Sequence, residues 1–161
     1  MHIRKTVKED IPRVSEIYAA ARKFMRESGN PDQWPDGYPG LAEIESDIEQ
    51  GHGFVCCDDD EIVAVFHYAV GVDPTYIKIY GGEWKNDLPY AVIHRIAVAR
   101  QGAGVAEFIF KHCFALLPNI KIDTHENNLP MQRCLRKNGF EYCGIIHIDG
   151  YGERMAYQKT Q

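Results

Sequence analysis

At 161 residues, with 45% apolar and 25% charged side chains, the chain has the balance of an ordinary globular protein with one normal core. A formal net charge of −5 argues against a nucleic-acid partner, since phosphate-backbone binders carry a basic face, and suits a cationic substrate. Five cysteines form an odd set without a Cys-x-x-Cys pair, which speaks against a disulfide frame or a zinc site and predicts a cytoplasmic protein with reduced thiols and no metal. "MHIRKTVKED" has no apolar leader core. The apolar stretch "IVAVFHYAVGV" is too short to cross a bilayer, so no membrane partner is expected.

In chain order, residues 2–6 read as a short strand. Thr6 is expected to cap the following helix, with Glu9 as its capping-box partner. Ile11, Val14, Ile17, Tyr18, Ala21 and Met25 keep helical spacing. "SGNPDQWPDGYPG" reads as a loop, and residues 40–50 as a second helix. "GFVCC" and "EIVAVFHYAV" are strands joined by an acidic hairpin turn. "DPTYIKIYGGEWKNDLPY" reads as a strand-like piece and a polar loop, and "AVIHRIAV" as a buried strand. A helix led by Gly102-Ala103-Gly104 follows, then the strand "IKIDTH". The next helix has Asn128 as N-cap, Pro130 in its first turn and Gly139 just past its end. "EYCGIIHI" and "ERMAYQK" close as an antiparallel pair. The order β-α-α-β-β-β-α-β-α-β-β is an α/β arrangement, with no internal repeat or interdomain linker.

The passage from strand to helix through "RQGAGVA" admits two readings. It is a tight turn, or it brings main-chain N–H groups against a ligand. The first amides of a helix lack internal acceptors and sit at the positive end of its dipole, which suits phosphate.

That element order, with "QGAGVA" after the fourth strand, resembles the GNAT family of acyl-CoA-dependent N-acyltransferases. Gln101, Gly104 and Ala106 stand at the defining positions of the family's Gln/Arg-x-x-Gly-x-Gly/Ala loop. Asn128 through "LPMQRCLRKN" to Gly139-Phe140 is similar to the family's Asn…Gly-Phe helix beside the cysteamine arm of CoA. The resemblance implies a single 1–161 domain, with a mixed, mostly antiparallel sheet of about seven strands flanked by four helices. It implies acetyl-CoA as co-substrate, a primary amine as acceptor, and a monomer or homodimer. The cofactor contacts it implies are Gln101, Gly102, Ala103, Gly104, Val105, Ala106 and Asn128, with Ile96 and Val98 in the strand before them. Val98 maps to the main-chain donor for the thioester oxygen. Where many relatives carry a tyrosine as acid to the departing thiolate, Leu135 stands here.

An attacking amine must be neutral, and at neutral pH a lysine-like amine is almost wholly protonated. A general base is therefore expected, and Glu83 and His94 are the leading candidates, with His125 behind. Trp34, Tyr38, Trp84 and Tyr90 stand in polar loops, where aromatics line pockets and can hold an amine by cation–π contact. Two rivals share these features. One is a GNAT-fold module that binds acyl-CoA without catalysis. The other is a nucleotide-binding protein, which is disfavoured because the loop lacks the Lys-Ser/Thr of a P-loop and a third Rossmann glycine.

Overall fold

The apolar periodicities settle into seven strands and four helices in a computed structural model that describes residues 1–161. In chain order they are β1 (His2–Lys5), α1 (Ile11–Glu27), α2 (Leu41–Gln50), β2 (Gly53–Asp58), β3 (Glu61–Val70), β4 (Ala91–Val98), α3 (Val105–Leu116), β5 (Asn119–Thr124), α4 (Leu129–Lys137), β6 (Glu141–Ile148) and β7 (Gly152–Thr160). The strands form one sheet in the order β1-β2-β3-β4-β5-β7-β6, antiparallel everywhere except between β4 and β5. The expected α/β fold, with its mixed and mostly antiparallel sheet, is present.

Each face of the sheet has its own apolar cluster. Ile109, Phe110 and Cys113 of α3 and Leu135 of α4 pack on Phe66, Ile93 and Ile122. Val14, Ile17 and Tyr18 of α1 and Ile44 of α2 pack on Val55, Val65 and Ala97. A third, smaller cluster lies under residues 74–90, where Tyr76 covers Val92, Ile146 and Ala156. No helix is long and apolar enough to cross a membrane.

Two local expectations are corrected. The turn before α1 is not capped by Thr6: a 3-10 turn, Lys8–Asp10, precedes the helix, and Asp10 accepts the Val7 N–H at 2.9 Å and the Arg4 guanidinium at 2.7 Å. Asp10 wins because one carboxylate there satisfies both an orphan amide and an arginine. The piece from Asp73 is not a strand. Pro74 removes an N–H, Asp73 takes the Thr75 amide at 2.9 Å, and a 3-10 turn (Pro74–Tyr76) results; only a single bridge, Tyr80 to Ile145, follows. The Asn128 cap is as expected: its Oδ1 accepts the Met131 N–H at 3.1 Å.

Candidate active site

The site begins with two strands that part. β4 and β5 pair only at Ala91–Ile120 and Val92–Lys121. From Ile93 onward the β5-facing edge of β4 has no strand to bond, and a wedge opens between them. A bulge in β4 lies beside the break. His67 pairs with His94 and Val65 with Ala97, so Arg95 and Ile96 face one residue of β3. The extra residue shifts the pleat, so that Ile93 packs under α3 while Ala97 packs under α1.

The bulge is held from three sides. Arg95 takes a left-handed φ of 48°, unusual for a side-chain-bearing residue. Its carbonyl accepts the Tyr18 hydroxyl at 3.1 Å, and its guanidinium meets Asp47 of α2 at 2.7 Å. Asp47 also bonds His67 Nδ1 at 2.8 Å. Burial pushes the Asp47 carboxyl up, but the hydrogen bonds from His67 and Arg95 outweigh it and hold the group below its ordinary range. Burial moves His67 the other way, favouring the neutral ring.

The wedge opens into a cavity of about 330 Å³ lined by His94, Arg95 and Ile96 of β4 and by Ile122 and Asp123 of β5. Trp34 and Tyr38, from the loop between α1 and α2, wall it together with Tyr151. Gln33 pins that loop. Its side-chain oxygen accepts from Asn30 at 2.9 Å and from Asn128 at 2.8 Å, and its carbonyl accepts from Arg154 at 3.3 Å.

Within the cavity His94 lies between two carboxylates. Nε2 is 2.7 Å from Asp73 Oδ2, and Nδ1 is 3.8 Å from Asp123 Oδ1. Burial alone pushes the Asp73 carboxyl up; hydrogen bonds from His94 and from the hydroxyl and amide of Thr75 override it and hold the group down at about 2. Asp73 is therefore a carboxylate at neutral pH and can only accept. It follows that Nε2 carries the proton and that the lone pair of neutral His94 sits on Nδ1. Asp123 also accepts the Tyr76 hydroxyl at 2.5 Å, and burial beside that carboxylate drives the Tyr76 phenol well above its ordinary value. The unit can take up a proton at Nδ1 and stabilise the resulting imidazolium from both sides.

At the end of β4 the chain offers main-chain donors. The Ala99 N–H bonds the Val63 carbonyl, so Val98 and Ala64 form a non-hydrogen-bonded pair and the Val98 N–H points away from β3. No N–H from Arg100 to Glu107 donates to another main-chain carbonyl; the helical ladder begins with Phe108 to Gly104 at 3.0 Å. Gly102 and Gly104 both adopt φ of 74°, and a Cβ on either would meet nothing within 4 Å. The loop is open rather than plugged by side chains. Arg100 ties it to the β2–β3 hairpin through Asp58 at 3.0 Å and Glu61. The residues here fit a diphosphate by their donors and by their lack of side-chain bulk.

The structure thus brings His94, Ile96, Trp34, Tyr38 and Asn128 to one cavity. Val98 and the 101–106 loop lie beyond it, at the end of β4. Glu83 is exposed on a loop whose Gly82 abuts the Cys143 carbonyl of β6, and it does not line the cavity. Trp84 and Tyr90 do not line it either. They make the cation–π contact foreseen for them with a cation of the chain itself: the Lys121 ammonium lies 4.3 and 4.0 Å from their ring centres. His125 accepts the Asn127 N–H through Nδ1. Leu135 is wholly buried in the α3-side cluster, so its position does not face the cavity. Sequence reading missed Asp73, Asp123 and Arg154. Asp73 carried one signal, its place before a proline, and that marked a turn.

The open sheet splays at its parallel pair beside a glycine-led helix, and the Asp73–His94 pair lies in the wedge. No family model matches the chain. An acetyltransferase of the GNAT family from Streptococcus agalactiae is 34% identical and superposes with a TM-score of 0.91, over 99% of this chain and 95% of that one. This chain therefore belongs to the GNAT family of acetyltransferases. The uncharacterized N-acetyltransferase YesJ of Bacillus subtilis is 24% identical over 147 residues, 86% of this chain and 80% of that protein. The aminoglycoside acetyltransferase AAC(6')-Ib, solved with coenzyme A and kanamycin, shares the fold at 18% identity and a TM-score of 0.68, over 99% of this chain and 94% of that one.

Proposed function

We propose that the chain is an acetyl-CoA-dependent N-acetyltransferase in which a primary amine attacks the thioester directly within a ternary complex. The observation that carries this reading is the Asp73–His94 pair in the wedge between β4 and β5, beside the cavity. Acetyl-CoA supplies an acetyl group activated as a thioester. The amides of residues 102–106 are assigned to the diphosphate and the Val98 N–H to the thioester oxygen, where charge develops. Ile96 and the N-terminal turn of α4 at Asn128 line the cavity on the acceptor side of these two points.

His94 Nδ1 removes the proton that the attacking nitrogen must shed, directly or through one water. Asp73 fixes the ring and its tautomer, and Asp123 faces the proton once it arrives. Trp34 and Tyr38 exclude water from the acceptor side. With Leu135 buried, no residue at that position protonates the departing thiolate; a thiol with pKa near 8.5 is a tolerable leaving group at neutral pH. The same leucine favours a second reading, an acyl-CoA-binding module without catalysis.

The test is thiol release from acetyl-CoA across a panel of amines, with His94→Gln as the control. Amine-dependent release that falls at least about a hundredfold in a folded His94→Gln protein supports the catalytic reading. Tight acetyl-CoA binding without release on any amine supports the module.

A further inference from the structure

The cavity holds a cation that its surroundings do not neutralise. Arg154 of β7 is only 4% exposed and lines the cavity wall. Its guanidinium donates to three main-chain carbonyls: Tyr151 and Glu153 at 2.9 Å through Nη1, and Gln33 at 3.3 Å through Nη2. None of these acceptors carries charge, and three of its five N–H donors are used. The other cavity arginine, Arg95, is half-buried and has Asp47 at 2.7 Å. Arg154 has no carboxylate in hydrogen-bond contact; burial pulls its own affinity for protons down, and the fields of Asp123 and Asp32 act against that. Clamping three neutral carbonyls does not require a charge, and a buried charge without an ionic partner is costly.

The position fits an anion site. Val92 pairs with Lys121, so His94 is level with Asp123, and Asp123 pairs with Ala156, two residues from Arg154 on the same face of β7. Two strand spacings and one pleat repeat separate the Cα atoms of His94 and Arg154 by at least about 12 Å. Both side chains line the same cavity, at a separation that suits the two ends of a small amino acid rather than a long polyamine. The charge balance agrees. Although the whole chain carries −5, the cavity is lined by two carboxylates, Asp73 and Asp123, and two guanidiniums, Arg95 and Arg154. A polycation would meet like charge there; a zwitterion would not.

We propose that Arg154 is the anion subsite of the acceptor pocket, and that the acceptor is a small amine bearing a carboxylate, an amino acid or short peptide. This rests on the N-acetyltransferase reading. The experiment uses the full chain at saturating acetyl-CoA, with matched pairs such as alanine and ethylamine or phenylalanine and phenethylamine, plus spermidine. Rates are referred to the free-base concentration. The carboxylate member should exceed its decarboxylated partner in kcat/KM by at least about tenfold. Arg154→Gln should collapse that ratio toward one, and Arg154→Lys should keep part of it. Equal kcat/KM within each wild-type pair, or a preference for spermidine, overturns the proposal and leaves the acetyltransferase reading standing. So does an Arg154→Gln protein in which both members of a pair fall equally, the signature of a clamp alone. If Arg154→Gln does not fold, the wild-type ratios and Arg154→Lys decide. Absence of thiol release with every amine, while acetyl-CoA binds, strikes the acetyltransferase reading itself.

Discussion

Replacing Asp73 by Asn tests the acid–base unit with little change of shape. Asn keeps a carbonyl oxygen to receive the Thr75 amide, now 2.9 Å away, and its hydroxyl, now 2.6 Å away, so the 3-10 turn retains its cap. The other terminal atom becomes an NH2 group facing His94 Nε2, where a carboxylate oxygen stood at 2.7 Å. Nε2 must then accept, and the ring proton moves to Nδ1, the atom assigned to take the substrate proton. The charged hydrogen bond lost is worth about 1.5–3 kcal/mol in the transition state, so kcat/KM should fall about 10- to 150-fold. Steady-state thiol release gives the rate, acetyl-CoA titration gives affinity, and 15N NMR of the imidazole gives the tautomer. Affinity for acetyl-CoA should hardly move. A folded Asp73→Asn protein within about threefold of the wild-type rate would refute both the tautomer argument and the role of His94 as base.

Asp73 also predicts an acid transition. Its folded-state value of about 2 lies below the ordinary 3.8, so its contribution to stability is present above pH 3.8 and is lost as pH falls through about 2. That interval corresponds to about 2 kcal/mol, which chemical denaturation between pH 5 and pH 2 should show for the wild type and not for Asp73→Asn. Gly104→Glu places a carboxylate and a left-handed side-chain-bearing residue at the start of α3, and should weaken acetyl-CoA binding at least about tenfold in calorimetry; unchanged affinity in a folded variant speaks against the phosphate loop. Glu83→Gln, at an exposed position off the cavity, should alter kcat less than about twofold; a large loss with a shifted pH profile would return the base role to Glu83. Asp47→Ala strands Arg95 and His67 without their shared acceptor and should cost about 3 kcal/mol in urea unfolding; a loss under 0.5 kcal/mol would mean that the bulge does not depend on the ion pair.

Most elements were legible because each is local. The 3.6-residue apolar spacing of α1 presents one face to β3 and β4, and the acidic turn at Asp59 closes the β2–β3 hairpin wherever the sheet happens to lie. The segment after Asp73 misled because Ile77 and Tyr80 look strand-like, while Pro74 and the Asp73 side chain dictate a turn. The loop aromatics show a different limit. Composition placed four of them near an amine. Only Trp34 and Tyr38 reached the cavity; Trp84 and Tyr90 were drawn to Lys121 of β5, which β4 and α3 separate from them in sequence.

By itself, the order of residues determined the helices and strands, the sheet class and the glycine-led helix start, since these follow from nearest-neighbour sterics and hydrophobic period. Tertiary structure alone decided the chemistry of the wedge. Asp73, His94, Asp123 and Arg154 come from a turn and three different strands, and their pairing depends on distances of a few ångströms that no one-dimensional pattern encodes. Proton affinities are set by through-space fields and burial, and these exist only once β4 and β5 have parted.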